Sequence, residues 1–283
     1  MAKLPVNVSA VREAFKEVSD VADRSATILL AGDQQLVALA QAKFAGGGPT
    51  PGTFGGTPSE LSALSTYPGE LLVILVPAQD EGAVMEALNW TKVQGSTVLA
   101  VDEGGDSDPT LVRLTERAVR LSFADTVNGW AALFAACAKE AGEDLVSLGR
   151  RYAPLRDYAA QYVINRTAGQ NALIGLLVFL PGADMPAMTL NQIKMVLNLA
   201  SLNSQKIGTD RALELVGVVG LSFGFRALAR RLLPLVPGFG WLYKALIGYS
   251  ATVIVGMGMQ KYFEAGAPAS TQRLVALVRD LRH

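Results

Sequence analysis

The first half of the chain alternates between strand-like and helical hydrophobic patterns. Short apolar runs typical of buried strands cover residues 26–31, 70–77, 96–101 and 118–123. Helical patterns separate or follow them at residues 34–44, 80–93, 109–117 and 126–141. The helix over 109–117 is expected to begin with Asp108 as its N-cap and Pro109 as its first residue. Strands alternating with helices predict a small three-layer α/β domain with a parallel sheet.

Helical patterns occupy the rest of the chain. Residues 8–24 place Val11, Phe15, Val18 and Val21 on one face, as in an amphipathic helix. From about residue 145 the pattern is helical throughout, with apolar segments at residues 172–180, 188–199, 212–225 and 245–259. Each segment is shorter than the ~20 residues of a simple bilayer span. Residues 232–259 nevertheless contain a single charge, Lys244. We predict a transmembrane helix here, and a dense soluble bundle is the alternative.

Small residues in these segments are spaced for close helix contact. Gly220 and Gly224 form one pair, and Gly248, Thr252 and Gly256 recur at four-residue intervals on one helix face. Because glycine costs roughly 1 kcal/mol in a helix relative to alanine, we predict that these five residues serve helix packing. A basic cluster follows the segment that ends at residue 225, and it is predicted to contact anionic lipid or a partner. The alternative is a soluble helix end whose arginines bind the C-terminal carbonyls. The members of the cluster are Arg226, Arg230 and Arg231.

The formal net charge of zero combines two opposite halves. Residues 1–144 carry 10 Lys/Arg against 19 Asp/Glu, whereas residues 145–283 carry 15 against 6. A change this sharp favours a domain boundary near residue 145. The chain is therefore divided into an N-terminal helix (1–24), an α/β domain (25–144) and a helical domain (145–283).

The composition excludes several kinds of chemistry. Cys137 is the single cysteine and His283 the single histidine. Cys/His zinc sites therefore lack ligands, and a Ser-His-Asp or Cys-His mechanism would depend on His283 at a fraying terminus. Cys137 lies in an apolar helical run and is predicted to be a small buried residue. We predict no catalytic residue, no metal, no cofactor and no enzymatic activity.

The ends of the predicted strands are the places where such a sheet normally binds ligands. The first strand ends in residues 31–35 (AGDQQ), which lack the lysine and the second glycine of a phosphate-binding loop. The glycine-rich segment 46–56 has no basic residue and is predicted to be a flexible surface loop. An acidic turn follows the third strand without the Asn-Lys pair of a guanine-reading loop. We predict that this turn is solvated, with divalent-cation binding as the alternative; it contains Asp102, Glu103, Asp106 and Asp108.

Two resemblances bear on the function. The order of strands and helices over residues 25–144 resembles a small GTPase domain without its working motifs. Residues 179–208 and 232–266 resemble the YcjF-type domain of unknown function (family 697). The matching positions are Pro181, Gly182, Asp184, Gln192, Met195, Pro237, Gly238, Gly240, Thr252, Gly256, Tyr262, Phe263 and Glu264. The second resemblance implies membrane attachment, frequently after an Era-like GTPase domain, and it carries no established catalytic residues.

These features predict a non-catalytic, membrane-associated scaffold or regulatory protein with a nucleotide-free pseudo-GTPase module. The expected location is the cytoplasmic face of a membrane, with integral insertion open, and no signal peptide is predicted at the N-terminus. Expected partners are an anionic lipid surface and a protein or second copy. Arginines alternate with tyrosines between residues 145 and 171, a weak nucleic-acid footprint, but no nucleic-acid partner is predicted. The alternatives are a soluble regulator that binds nucleotide weakly and a soluble dimeric helical adaptor.

Overall fold

The chain forms two compact units. A computed structural model describes residues 8–22, 26–46, 51–53, 71–90, 96–105, 107–177, 185–203 and 240–266. One unit contains residues 24–159, and the other contains residues 1–23 together with residues 160–283. Residues 145–155 therefore belong with the α/β unit, where the ring of Tyr152 lies 6.5 Å from that of Phe44. The N-terminal helix belongs with the helical unit.

The elements of both units are as follows. The strands are β1 (Ile28–Gly32), β2 (Gly52–Thr53), β3 (Leu71–Pro77), β4 (Ser96–Asp102), β5 (Thr110–Thr115) and β6 (Ala118–Phe123). The helices are α1 (Val8–Ala22), α2 (Gln34–Ala45), α3 (Glu81–Trp90), α4 (Val127–Ala141), α5 (Leu145–Arg151), α6 (Arg156–Leu177), α7 (Met185–Leu202) and α8 (Gly240–Glu264).

The sheet of the α/β unit has six strands in the order β2-β1-β3-β4-β6-β5. All neighbouring pairs are parallel except β5 and β6, which are antiparallel, so the sheet is mixed. Residues 71–76 of β3 and 97–101 of β4 are buried because helices cover the central strands. Continuous Val/Ile/Leu runs suit strands buried on both faces, as the sequence pattern predicted.

The helix predicted over residues 109–117 is wrong, because this segment contains the edge strand β5. It pairs with β6 through the turn at residues 116–117, and its side chains alternate between the two faces of the sheet. Arg113 reaches Glu140 of α4 on one face, whereas Leu114 packs on the apolar core beside α3 on the other. Pairing with β6 overrides the helix-start signal of Asp108 and Pro109.

The glycine-rich segment 46–56 also contains a strand within its described part. Gly52 and Thr53 form β2, which pairs in parallel with Leu29 and Leu30 of β1. This pairing places β2 at the edge of the sheet opposite β5. The prediction of a flexible surface loop is therefore wrong for these two residues.

In the helical unit, α7 packs against both α1 and α8. The buried face of α1 consists of Val11, Ala14 and Val18, the face that the amphipathic pattern indicated, while Phe15 is half-buried beside it. An ion pair between Glu17 and Lys194 also joins α1 to α7. The short N-terminal helix is thereby held by both apolar contacts and charge.

Among the described helices, none is long and apolar enough to cross a membrane. The prediction of a transmembrane helix is therefore wrong for this part of the chain. α8 has 25 residues, but glycine, tyrosine, serine, threonine and lysine interrupt its apolar positions. α6 carries Arg156, Asp157 and Arg166 within its 22 residues. The apolar segment 212–225 lies outside the described residues.

Candidate functional site

The strand order identifies one place in the α/β unit for a ligand. The chain runs from β1 to β2 on one side of the sheet, and β3 then lies on the other side of β1. In doubly wound sheets, ligands bind outside the carboxyl ends of the strands at such a switch point. The candidate site is therefore the edge formed by the ends of β1 and β3 and the start of α2.

The chain turns tightly at the end of β1. Gly32 has a φ of +114°, and a Cβ atom added there would lie 2.0 Å from the carbonyl oxygen of Leu75. The next amide, that of Asp33, donates a 2.8 Å hydrogen bond to the same oxygen. Only glycine fits this backbone conformation and this close approach. The turn from β1 into α2 is thus pressed directly against β3.

Asp33 caps the N-terminus of α2 with its own carboxylate. One carboxylate oxygen, Oδ1, accepts hydrogen bonds from the backbone amides of Gln35 at 2.9 Å and Leu36 at 3.0 Å. In nucleotide-binding sheets, the amides at this end of the helix are free, and together with the positive end of the helix dipole they hold a phosphate. In this chain a side-chain anion already holds them. An Asp just before a helix is a recognisable N-cap signal, so the sequence contained this information.

Other acidic side chains along the same edge also bind their own backbone or a neighbour. Asp80 accepts from the amide of Ala83 at 2.9 Å, and Asp102 accepts from that of Gly104 at 3.1 Å. Asp125 accepts a 2.6 Å hydrogen bond from the indole Nε1 of Trp130. These acids stabilise the turns that follow the strands, and they make this edge negative.

In the described part of the predicted acidic turn after β4, the acidic side chains also bind the local backbone or a neighbouring side chain. A carboxylate oxygen of Glu103 lies 3.6 Å from the guanidinium of Arg120 on β6. Asp106 lies outside the described residues. Within the described part of the chain, no group of three or more His, Cys, Asp or Glu side chains is arranged to hold a metal ion.

Cys137 is fully buried in α4, as predicted from its apolar surroundings. Burial raises the pKa of its thiol far above the usual range, since the charged thiolate would lose its hydration. A nucleophilic cysteine needs the opposite shift. The thiol is therefore an inert core group.

Tyrosines and arginines after residue 145 largely contact one another or the fold. The Tyr152 hydroxyl accepts a hydrogen bond from the amide of Ile28 in β1, and its ring is fully buried. Arg166 donates a 2.8 Å hydrogen bond to the hydroxyl of Tyr162, one helical turn earlier. Tyr158 donates to the carbonyl of Ala131 in α4. The alternating pattern that resembled a nucleic-acid footprint is thus explained in part by internal contacts.

In the helical unit, Gly248, Thr252 and Gly256 lie on the face of α8 that meets α6 and α7. A Cβ atom at Gly248 would lie 3.1 Å from the carbonyl oxygen of Asn171 in α6. A Cβ atom at Gly256 would lie 2.7 Å from Ile164 of α6. The small residues thus allow close approach of the helices. Gly220, Gly224, Arg226, Arg230 and Arg231 lie outside the described residues.

Thr252 is the centre of a buried polar network. Its hydroxyl accepts hydrogen bonds from the side-chain amides of Asn171 at 2.9 Å and Gln192 at 3.2 Å. It also donates to the carbonyl oxygen of Gly248 at 2.7 Å. Asn171, Gln192 and Thr252 are all fully buried and come from three different helices. The sequence identified Thr252 as a small packing residue but gave no sign of the partner Asn171, 81 positions away.

The opposite face of α8 exposes large apolar side chains on both sides of Ser250, which is also exposed. Ile254 is 69% exposed and Met257 is 53% exposed, and they continue a stripe that begins with Leu246 and Tyr249. We call these four residues the α8 stripe. Lys261 follows on the same side, one turn after Met257, and is exposed. A helix with a packed inner face and an apolar outer face offers a surface to a partner or to lipid.

Comparisons with models of protein families, with curated proteins and with solved structures found no match.

Proposed function

We propose that this chain is a non-catalytic, membrane-associated scaffold or regulatory protein with a nucleotide-free, GTPase-like or Rossmann-like module. The observation that carries this proposal is the position of the Asp33 carboxylate on the amides of Gln35 and Leu36. A phosphate at this helix end would have to displace that carboxylate or sit beside it.

Electrostatic magnitudes favour the nucleotide-free state. Two unit charges of the same sign 4 Å apart repel by about 4 kcal/mol at an effective dielectric constant of 20. The attraction of a helix terminus for an anion is typically worth only about 0.3–1 kcal/mol. Repulsion by the Asp33 carboxylate therefore offsets the attraction of the α2 terminus for a phosphate, and no lysine follows it within α2 before Lys43 in the last turn.

The α8 stripe supports the membrane part of the proposal. An exposed apolar helix face followed by a basic residue is suited to lie in the headgroup region of an anionic bilayer. Such peripheral binding places the helix along the surface and does not require a spanning segment. Charge also favours this surface, because the helical unit (residues 1–23 and 160–283) carries 15 basic against 9 acidic side chains.

The experiment is co-sedimentation of the full chain with phosphatidylserine-containing vesicles, with and without GDP or GTP. We expect binding that nucleotide does not change. Ile254→Glu should lower the bound fraction several-fold, because a charge then enters the apolar stripe. Val127→Glu is the matched control, because Val127 is 87% exposed on α4 in the other unit.

Two results would count against this function. If the wild-type chain stays in the supernatant, the α8 stripe does not bind lipid. The hypothesis of a soluble helical adaptor is then favoured over that of a membrane-associated protein. If GTP and GDP change the bound fraction differently, the α/β unit reads nucleotide and is a working regulator.

A further inference from the structure

The last residue of the α8 stripe, Met257, has an accessible thioether. It is 53% exposed and follows Ile254, the most exposed member of the stripe, by one helical turn. Its immediate neighbours in the chain, Gly256 and Gly258, have no side chains that could cover it. A Cβ atom added at Gly258 would meet nothing within 4 Å, so the helix surface beside Met257 is open. Small molecules in solution therefore have access to this side chain.

The other methionines with described side chains divide into a buried and an exposed class. Met188, Met195 and Met259 are 2%, 0% and 6% exposed and belong to the core of the helical unit. Met85 is 61% exposed on α3 of the α/β unit. Met257 is thus the one thioether in the α8 stripe, and Met85 is an equally accessible thioether in the other unit.

The single cysteine of the chain does not compete with these thioethers for an oxidant. A thiolate is the usual first target of a peroxide. Cys137 is fully buried, and burial holds its pKa far above the usual range, so the thiol stays protonated and inaccessible. The remaining members of the stripe are two saturated hydrocarbon side chains and a phenol, which do not accept an oxygen atom from a peroxide unaided.

We infer that Met257 is an oxidative modification site that controls the binding of the α8 stripe to lipid. Hydrogen peroxide transfers one oxygen atom to the thioether: the O–O bond breaks, an S–O bond forms, the sulfur is oxidised by two electrons, and water leaves. The product is methionine sulfoxide. This inference rests on the proposed function, because it requires that the stripe bind a membrane surface.

Oxidation puts a polar group at a position that the bound state desolvates. The sulfoxide oxygen accepts hydrogen bonds from water, and it loses them when the apolar face of the helix enters the boundary of the acyl chains. The transfer of a methionine side chain out of water is favourable enough that losing it should lower the ratio of bound to free chain by about tenfold. Oxidation therefore shifts the chain from the membrane surface to solution.

The test compares vesicle binding of the full chain before and after treatment with hydrogen peroxide. Vesicles of saturated phosphatidylserine prevent oxidation of the lipid, and catalase removes the peroxide before binding is measured. Peptide mass spectrometry quantifies the sulfoxide at each methionine. We expect the two exposed methionines to be oxidised before the three buried ones, because exposure controls their access to peroxide. The bound fraction should fall in step with the sulfoxide at Met257.

Matched variants assign the effect to one side chain. Met257→Leu keeps an apolar side chain of similar volume and should bind equally well before and after peroxide. Met85→Leu should lose binding on oxidation as the wild-type chain does, because its stripe still carries the thioether. Met257→Gln places a polar amide in the stripe and should bind about tenfold more weakly without any oxidant. All three variants replace exposed side chains, so none should impair folding.

The outcomes separate this inference from the proposed function. If the unoxidised chain does not bind vesicles, the proposed function fails and the inference fails with it. If the unoxidised chain binds and the chain oxidised at Met257 binds equally well, the inference alone is overturned. It is also overturned if Met257→Leu loses as much binding on oxidation as the wild-type chain, because the sensitive group then lies elsewhere.

Discussion

Gly32→Ala is expected to lower the free energy of unfolding of the α/β unit by about 4 kcal/mol. A left-handed or otherwise sparsely populated backbone costs a non-glycine residue roughly 1–3 kcal/mol. The added methyl group would also lie 2.0 Å from the Leu75 carbonyl oxygen, which belongs to the backbone of a buried strand and cannot rotate away. Relieving such an overlap by moving a packed strand costs about 1–3 kcal/mol more. Urea unfolding followed by circular dichroism measures the total loss in the free energy of unfolding from these two effects.

Gly105→Ala separates the two contributions. Gly105 also has a positive φ, +66°, but a Cβ atom there meets nothing within 4 Å. Its replacement by alanine should therefore lower the free energy of unfolding only by the cost of the left-handed backbone conformation, about 1–2 kcal/mol. Equal losses for the two variants would show that the turn after β1 is not pressed against β3.

Thr252→Val is expected to lower the free energy of unfolding of the helical unit by about 2–4 kcal/mol. Valine fills nearly the same volume, so packing alone predicts little change. Without the hydroxyl, Asn171 and Gln192 each lose an acceptor, and the Gly248 carbonyl loses a donor. Each buried polar group left short of a partner costs about 1–3 kcal/mol. The same urea experiment, followed by circular dichroism, checks this value.

Thr252→Ser provides the control. Serine keeps the hydroxyl and loses one buried methyl group, which is worth about 1 kcal/mol. We therefore expect the serine variant to be more stable than the valine variant. The reverse order would mean that Thr252 acts by filling space, and that the three-helix network contributes little to stability.

Local hydrophobic patterns were sufficient to predict much of the α/β unit. The four apolar runs correspond to β1, β3, β4 and β6, because buried parallel strands require continuous apolar residues and short turns. β5 was missed because its six residues become a strand only by pairing with β6. Asp108 and Pro109 are a genuine local helix signal, yet hydrogen bonds to β6 and the ion pair with Glu140 outweigh it.

The sequence shows what the candidate site lacks and contains the N-cap signal of Asp33, but it does not show how the turn packs against β3. The missing lysine after Gly32 is visible in the sequence, whereas the hydrogen bond from Asp33 to Leu75 depends on how β1 and β3 pair. In the helical unit, the spacing of Gly248, Thr252 and Gly256 indicated a helix face. The partners of Thr252 could not be read from it, since Asn171 and Gln192 come from other helices.

We propose that the chain's own carboxylate occupies the position at the start of α2 where nucleotide-binding sheets hold a phosphate. The decisive measurement is a titration of the ¹⁵N-labelled chain with GDP or GTP and Mg²⁺ that follows the amide resonances of Gln35 and Leu36. Because Asp33 already accepts hydrogen bonds from both amides, we predict no saturable shift at millimolar nucleotide. A saturable shift centred on these two amides would contradict the account and would make the α/β unit a nucleotide-binding domain.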